Sequence, residues 1–120
     1  MIYRQGSDTI PLDDTYIFRS LSAKAINYDI YDADGNVYHY LEGSRVTDSK
    51  VFSGYKTHHP LHDGVAEGLS DQYGGEPVKW QHAKGNGIID VDGEGVRAEV
   101  HWFQQEAIGQ VRHRIKKWLE

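Results

Sequence analysis

The chain contains no cysteine among its 120 residues. A disulfide framework and a thiolate metal site are therefore excluded, and cysteine content does not indicate the redox compartment. The sequence also lacks an apolar run long enough to span a membrane, and its N-terminus lacks the basic and then apolar profile of a signal peptide. We therefore expect a soluble chain with no membrane partner.

Positive charge is also scarce relative to negative charge: 13 lysines and arginines stand against 18 aspartates and glutamates, so the formal net charge is −5. This balance argues against a protein that coats nucleic acids, since such domains are usually strongly basic. The charges are nevertheless unevenly distributed, with aspartates frequent in the first 34 residues and four cations close together near the C-terminus: Arg112, Arg114, Lys116 and Lys117. A local cationic patch on an acidic body can bind a phosphate at one place.

Length and hydrophobic content, at 38%, predict one core and one domain. Residues 1–14 show no sustained periodicity and are interpreted as a tail or linker, followed by a single domain over residues 15–120. The strands are expected at 16–18, 25–31, 37–41, 87–91, 96–103 and 110–118, with one helix after Pro60 that ends at Gly74-Gly75. The predicted fold is α+β: an antiparallel sheet of about four to six strands, one main helix packed on it, and a C-terminal β-meander.

Alternation along residues 96–103 separates an apolar face from a reactive one. Val96, Ala98, Val100 and Trp102 fall on one side of the strand, and Arg97, Glu99, His101 and Phe103 on the other. Histidine is informative there, because an exposed strand gains little from an imidazole, whereas a pKa near 6.5 suits proton transfer. Glu99 and His101 are therefore the candidate catalytic residues.

The last strand supplies candidate phosphate ligands. Alternation places Val111, His113 and Ile115 on one face and Arg112, Arg114 and Lys116 on the opposite one. A paired sheet would then present a cationic lane beside Glu99 and His101. An alternative is an ordinary solvated face, on which cross-strand Glu–Arg pairs each contribute roughly 0.2–1 kcal/mol.

The segment from His82 to Gly87 resembles a glycine-rich loop that brings further candidates, Lys84 and His82, toward a substrate. A metal site at His58, His59 and His62 is disfavoured because Pro60 interrupts a continuous helix. The Asp-rich turn from Asp32 to Asn36 lacks the ligand spacing of a calcium loop. The sequence therefore predicts neither a metal nor a cofactor.

A set of short motifs extends along the chain from about Tyr16 onward. They are Phe18-Arg19-Ser20-Leu21, Ala23-Lys24, Asn27-Tyr28-Asp29, Glu42-Gly43-Ser44-Arg45, Tyr73-Gly74-Gly75, Trp80-Gln81-His82-Ala83-Lys84-Gly85-Asn86-Gly87, Ala98-Glu99-Val100-His101-Trp102 and Lys116-Lys117-Trp118-Leu119. Together they resemble the C-terminal domain of phage minor head (head morphogenesis) proteins encoded in bacterial prophages.

The resemblance implies a location in the virion or in the bacterial cytoplasm. Related phage-associated domains are grouped with the barnase, EndoU, colicin and RelE-like ribonucleases, which implies a helix packed on an antiparallel sheet with a metal-independent active site. It also implies that a histidine and basic residues on the sheet act on RNA.

The expected reaction is attack of a ribose 2′-hydroxyl on the adjacent phosphate. Either Glu99 or His101 serves as the base and the other as the acid, while cations contact the phosphate. The candidate substrate-binding residues are Arg97, Arg112, Arg114, Lys84 and His82. The alternative function is a non-catalytic virion domain that binds capsid or portal proteins, packaged DNA or another copy of itself. A third is a toxin-like effector whose target is a host RNA. An enzyme requires these groups to converge, whereas a structural module leaves them dispersed.

Overall fold

The computed structural model describes residues 28–119. Strands make up 51% of this range and helices 13%. The elements within it are β1 (Ile30–Tyr31), β2 (Val37–Tyr40), β3 (Thr47–Gly54), α1 (Val65–Tyr73), a 3-10 turn (Pro77–Lys79), β4 (Gln81–Val91), β5 (Glu94–Gln105) and β6 (Gly109–Trp118). The predicted tail over residues 1–14, the strand over 16–18 and residues 25–27 of the strand over 25–31 lie outside the described residues.

The strands close into a barrel. Their order is β2-β1-β6-β5-β4-β3, and β2 also pairs with β4, so that β1, β2, β4, β5 and β6 form a ring of five. The strand β4 is long enough for two neighbours on one edge: β3 pairs with its first half, and β2 pairs near its end through Tyr40 and Ile89. The pairings are antiparallel except for the short parallel contact between β1 and β6.

The α+β prediction is therefore wrong. The core is enclosed by the barrel's own strands and is not sandwiched between an open sheet and a main helix. The helix α1 begins at Val65, after Gly64 in a left-handed conformation (φ 84°), and has only nine residues. It is anchored where Ser70 Oγ accepts a hydrogen bond of 2.9 Å from Trp80 Nε1. The sequence periodicity indicated a helix but not how little of the core it covers.

The barrel interior follows the period-two pattern of the strands. Its buried residues are Ile30, Tyr40, Ala83, Ile89, Ala98, Val100, Trp102 and Ile115. The glycines that suggested a loop lie inside β4, so the loop prediction for residues 82–87 is wrong. A Cβ on Gly87 would lie 2.6 Å from Tyr40 Cε1, which shows that the missing side chain makes room for the tyrosine ring.

One buried polar network lies within this interior. The His113 side chain is stacked between Tyr28 and Trp102, at centroid distances of 4.1 and 5.4 Å, and its Nδ1 shares a hydrogen bond of 2.9 Å with Tyr40 Oη. Burial lowers the pKa of His113 to about 3 and raises the pKa of Tyr28 to about 12. The imidazole is therefore neutral in the folded protein at every pH at which most proteins work.

No helix within residues 28–119 has the length and apolar character needed to cross a membrane.

The neutral His113 makes the folding free energy depend on pH. Its folded pKa of about 3 lies below the unfolded value near 6.5, so the unfolded chain takes up the proton first as the pH falls. We expect His113 to remove about 1.4 kcal/mol of unfolding free energy per pH unit below about 6.5. Urea midpoints at pH 7 and pH 4.5 measure this loss.

The double variant Tyr40→Phe/His113→Phe is the control, because it removes the titrating ring without leaving the tyrosine hydroxyl unpaired. We expect a visibly shallower decline of stability with acid in this variant. An equal decline in both proteins would show that His113 is not the source.

Candidate active site

A row of basic side chains crosses the outer face of the sheet. Residues directly opposite one another on neighbouring strands share a face, and the register pairs Arg114 with His101, His101 with Lys84, and Lys84 with Lys50. We call these four residues, from β6, β5, β4 and β3, the cross-strand row. Its three steps span about 14 Å at the usual strand spacing.

Glu99 and His101 form a hydrogen-bonded pair on this face. Both residues point outward from β5, and His101 Nε2 donates to Glu99 Oε2 over 2.8 Å. Because a carboxylate only accepts, the neutral ring carries its free lone pair on Nδ1. That nitrogen is buried and has no hydrogen-bond partner among the described residues. The pair is therefore an oriented imidazole with one uncommitted nitrogen.

Burial sets the charge of this pair. Desolvation lowers the pKa of His101, against the opposing effect of the Glu99 hydrogen bond and charge, and Arg114 and Lys116 lower it further. The hydrogen bond from His101 is the main cause that lowers the pKa of Glu99, with Lys84 and Lys117 contributing. The pair at neutral pH is therefore a carboxylate beside a neutral imidazole.

Aromatic rings surround the imidazole. His82 stacks on Phe103 at 4.5 Å between centroids, and Phe52 contacts both His82, at 4.3 Å, and His101, at 5.4 Å. We call these four residues the ring cluster. Burial lowers the pKa of His82 to about 4, and the charges of His101, Arg114 and Lys116 act in the same direction. His82 Nε2 is buried without a hydrogen-bond partner in the described part of the chain.

Cations converge on the pair from two sides. Lys117 Nζ lies 4.0 Å from Glu99 Oε1, and Lys84 Nζ lies over the Phe52 ring, 5.6 Å from its centroid. Arg114 lies on the next strand, directly opposite His101. The arrangement has the three components of general acid–base chemistry on a phosphate: a neutral base, a second imidazole and clustered positive charge.

Two of the predicted phosphate ligands lie elsewhere. Arg97 is exposed on β5, opposite Ile88 and four residues before His101, so it lies to one side of the cross-strand row. Arg112 and Arg114 are both exposed on either side of the buried His113, but a register irregularity between β5 and β6 separates Arg112 from the cross-strand row. Arg112 has φ 57° and donates from Nη2 to Gln72 Oε1 over 2.7 Å, at the end of α1.

Sequence reasoning missed Lys50 and Phe52, which lie on β3. Residues 42–59 show no clear alternation because β3 carries two register irregularities, between Thr47 and Lys50 and between Val51 and Ser53. The available signal was the apolar pair Val51-Phe52 before Gly54. Within residues 28–119 no group of three or more histidine, aspartate or glutamate side chains is arranged to hold a metal ion.

The Glu99→Gln variant tests the coupling within the pair. Since the Glu99 carboxylate raises the pKa of His101, its loss is expected to lower that pKa further. An NMR titration of the imidazole signals measures the change. Asp29→Asn is the matched control, because Asp29 bonds an exposed histidine, His39, at 3.1 Å. An unchanged His101 pKa in Glu99→Gln would contradict the described pair.

Comparison with known proteins does not add a relative. No family model, no curated protein and no solved structure matches this chain. The similarity to phage minor head domains therefore stays a prediction from the sequence motifs.

Proposed function

We propose that this chain is a phage head-associated domain that cleaves RNA without a metal, using the Glu99–His101 pair on the outer face of the barrel. The observation that carries the proposal is the 2.8 Å hydrogen bond that fixes His101 with Nδ1 free, beside Lys84 and Arg114. A neutral, oriented imidazole within a cationic surface suits transfer of a proton from a ribose 2′-hydroxyl.

His101 suits the base role better than Glu99 does. Its pKa is lowered, so it is neutral and able to accept a proton at pH 7, whereas the carboxylate of Glu99 is engaged with Nε2. As the 2′-oxygen attacks phosphorus, Nδ1 takes the 2′ proton, and Glu99 stabilises the imidazolium that forms. Because Nδ1 is covered in the free protein, the substrate must displace a ring of the cluster. Phe52 is only partly buried and borders a β3 irregularity, which suits this displacement.

His82 is the candidate acid. Its pKa of about 4 leaves it neutral in the free protein, but a phosphate bound between it and Lys84 raises that pKa by adding negative charge nearby. A protonated His82 then delivers its proton to the departing 5′-oxygen as the P–O5′ bond breaks. The products are a 2′,3′-cyclic phosphate and a 5′-hydroxyl.

The cross-strand row supplies electrostatic stabilisation. Arg114 and Lys84 flank His101 on the two neighbouring strands, about 5 Å away at the backbone. Charge that develops on the phosphoryl oxygens is stabilised by such fixed cations, and a guanidinium adds two parallel hydrogen bonds. Lys50, opposite Lys84 on β3, extends the positive surface by one more strand across the sheet.

The alternative is a non-catalytic virion domain. Exposed apolar side chains favour it, since Val37, Tyr31 and Trp118 are 50%, 45% and 39% exposed. Apolar exposure of this kind suits contact with a capsid or portal protein. In that case the Glu99–His101 pair stabilises the fold only, and its loss affects stability and leaves no enzymatic consequence.

The direct test is RNA cleavage in a chelating buffer, with detection of 2′,3′-cyclic phosphate ends. We expect cleavage by the wild type and a loss of at least about 100-fold in His101→Ala, the usual contribution of a positioned base. His39→Ala is the matched control, because His39 also bonds a carboxylate but lies on exposed β2.

No cleavage by folded wild-type protein would reject the enzyme proposal and favour the virion module. Equal cleavage by His101→Ala would mean that another base, or a contaminant, acts.

The pH profile provides an independent test. The base must be neutral, and burial lowers the pKa of His101, so the acidic limb of kcat, measured on the substrate complex in which the bound phosphate raises the pKa of His82, is expected below pH 6.5. Activity then declines as the pH falls through that pKa. In Glu99→Gln the limb is expected at still lower pH, together with a slower rate. A limb at or above pH 6.5 would contradict His101 as the base.

A further inference from the structure

A cleft outside the ring cluster lies between the C-terminal end of α1, β1 and β6. Its volume is about 600 Å³, within the range of small-molecule sites. Three tyrosines, Tyr28, Tyr31 and Tyr73, lie along it together with Arg112 and Arg114. The cleft therefore combines flat aromatic surfaces with two guanidinium groups.

The backbone at Arg112 directs its side chain to this cleft. Its φ of 57° is left-handed, a conformation that is unfavourable for a residue with a Cβ, and it lies at the bulge between β5 and β6. The guanidinium is 5.7 Å from the Tyr73 ring centroid and is held by Gln72. A strained residue maintained by its neighbours is often found at a binding site.

The cleft adjoins the candidate active site through Arg114. Arg114 lies along the cleft and is also the register partner of His101, one strand away. Tyr31 is the register partner of Arg114 on the other side and is 45% exposed. A phosphate bound between His101 and Arg114 therefore has an aromatic cleft about 5 Å further across the sheet.

We propose that this cleft binds the base of the ribonucleotide adjoining the phosphate at Arg114. The proposal rests on the function proposed above and adds a base-binding subsite to it. Tyrosine rings and arginine planes are the groups on which unpaired RNA bases stack. Gln72 and Asp29, which also line the cleft, offer hydrogen bonds to base edges; Asp29 already accepts one from His39, over 3.1 Å.

Calorimetric titration of the full chain with the four ribonucleoside 3′-monophosphates tests the subsite. These probes carry base and phosphate but have no phosphodiester to cleave, so binding is measured apart from catalysis. Inorganic phosphate and the free nucleosides are the reference ligands. We expect at least one nucleotide to bind about tenfold or more tightly than inorganic phosphate, because a stacked base adds affinity.

Arg112→Gly is the decisive variant. Glycine accepts the left-handed backbone, so the fold is expected to be retained while the guanidinium is lost. We expect about tenfold weaker nucleotide binding and unchanged affinity for inorganic phosphate. Lys56→Gly is the matched control, because Lys56 also has a positive φ, 66°, and lies over a tyrosine ring, but does not line the cleft.

The outcomes separate the subsite from the enzyme. Nucleotide binding no tighter than that of phosphate, or equal binding by Arg112→Gly and wild type, overturns the subsite even if RNA is cleaved. Binding that depends on Arg112 supports it even if cleavage fails, in which case only the catalytic proposal is lost. If the protein both binds nucleotide through Arg112 and cleaves RNA, Arg112→Gly is expected to raise KM for RNA, and Lys56→Gly is not.

Discussion

The structure depends on closure of the barrel where β2 meets β4. At that contact Tyr40 pairs with Ile89, and its ring occupies the space left by the missing side chain of Gly87. The Tyr40 hydroxyl then reaches His113 on β6, so one ring links three strands of the barrel. Without the glycine the ring would be displaced and the β2–β4 contact would open. The barrel closed in this way holds the strands that carry the cross-strand row and the Glu99–His101 pair on its outer face.

The two faces use histidine differently. Inside, His113 is stacked between two aromatic rings, and burial keeps it neutral well below physiological pH. Outside, His101 is also mostly buried but is bonded to a carboxylate and is next to cations. The first environment suits a structural hydrogen bond, and the second suits proton transfer. Burial alone therefore does not mark an imidazole as structural, and the charges around His101 are the basis on which proton transfer is proposed there.

Local patterns in the sequence predicted part of this structure. Alternation placed Ala98, Val100 and Trp102 inside and Glu99 and His101 outside, because a regular strand keeps its period of two. It failed across β3, where register irregularities change the period. Barrel closure was also missed, because it depends on the long-range contact between β2 and β4. The glycines of β4 leave room for this contact, but their presence in the sequence does not predict it. The coupling of Glu99 to His101 followed from spacing, whereas Lys50 and the Tyr–Arg cleft did not.

The central claim is that the outer face around His101 is where RNA binds. An NMR titration with a 2′-O-methyl RNA oligonucleotide tests it, since that ligand lacks the attacking hydroxyl and stays intact. We predict that the imidazole signals of His101 and His82 shift together with the guanidinium signal of Arg114, while Val37 and Trp118 are unaffected. Shifts confined to Val37 and Trp118, or none at saturating oligonucleotide, would contradict the claim and favour a protein-binding virion domain.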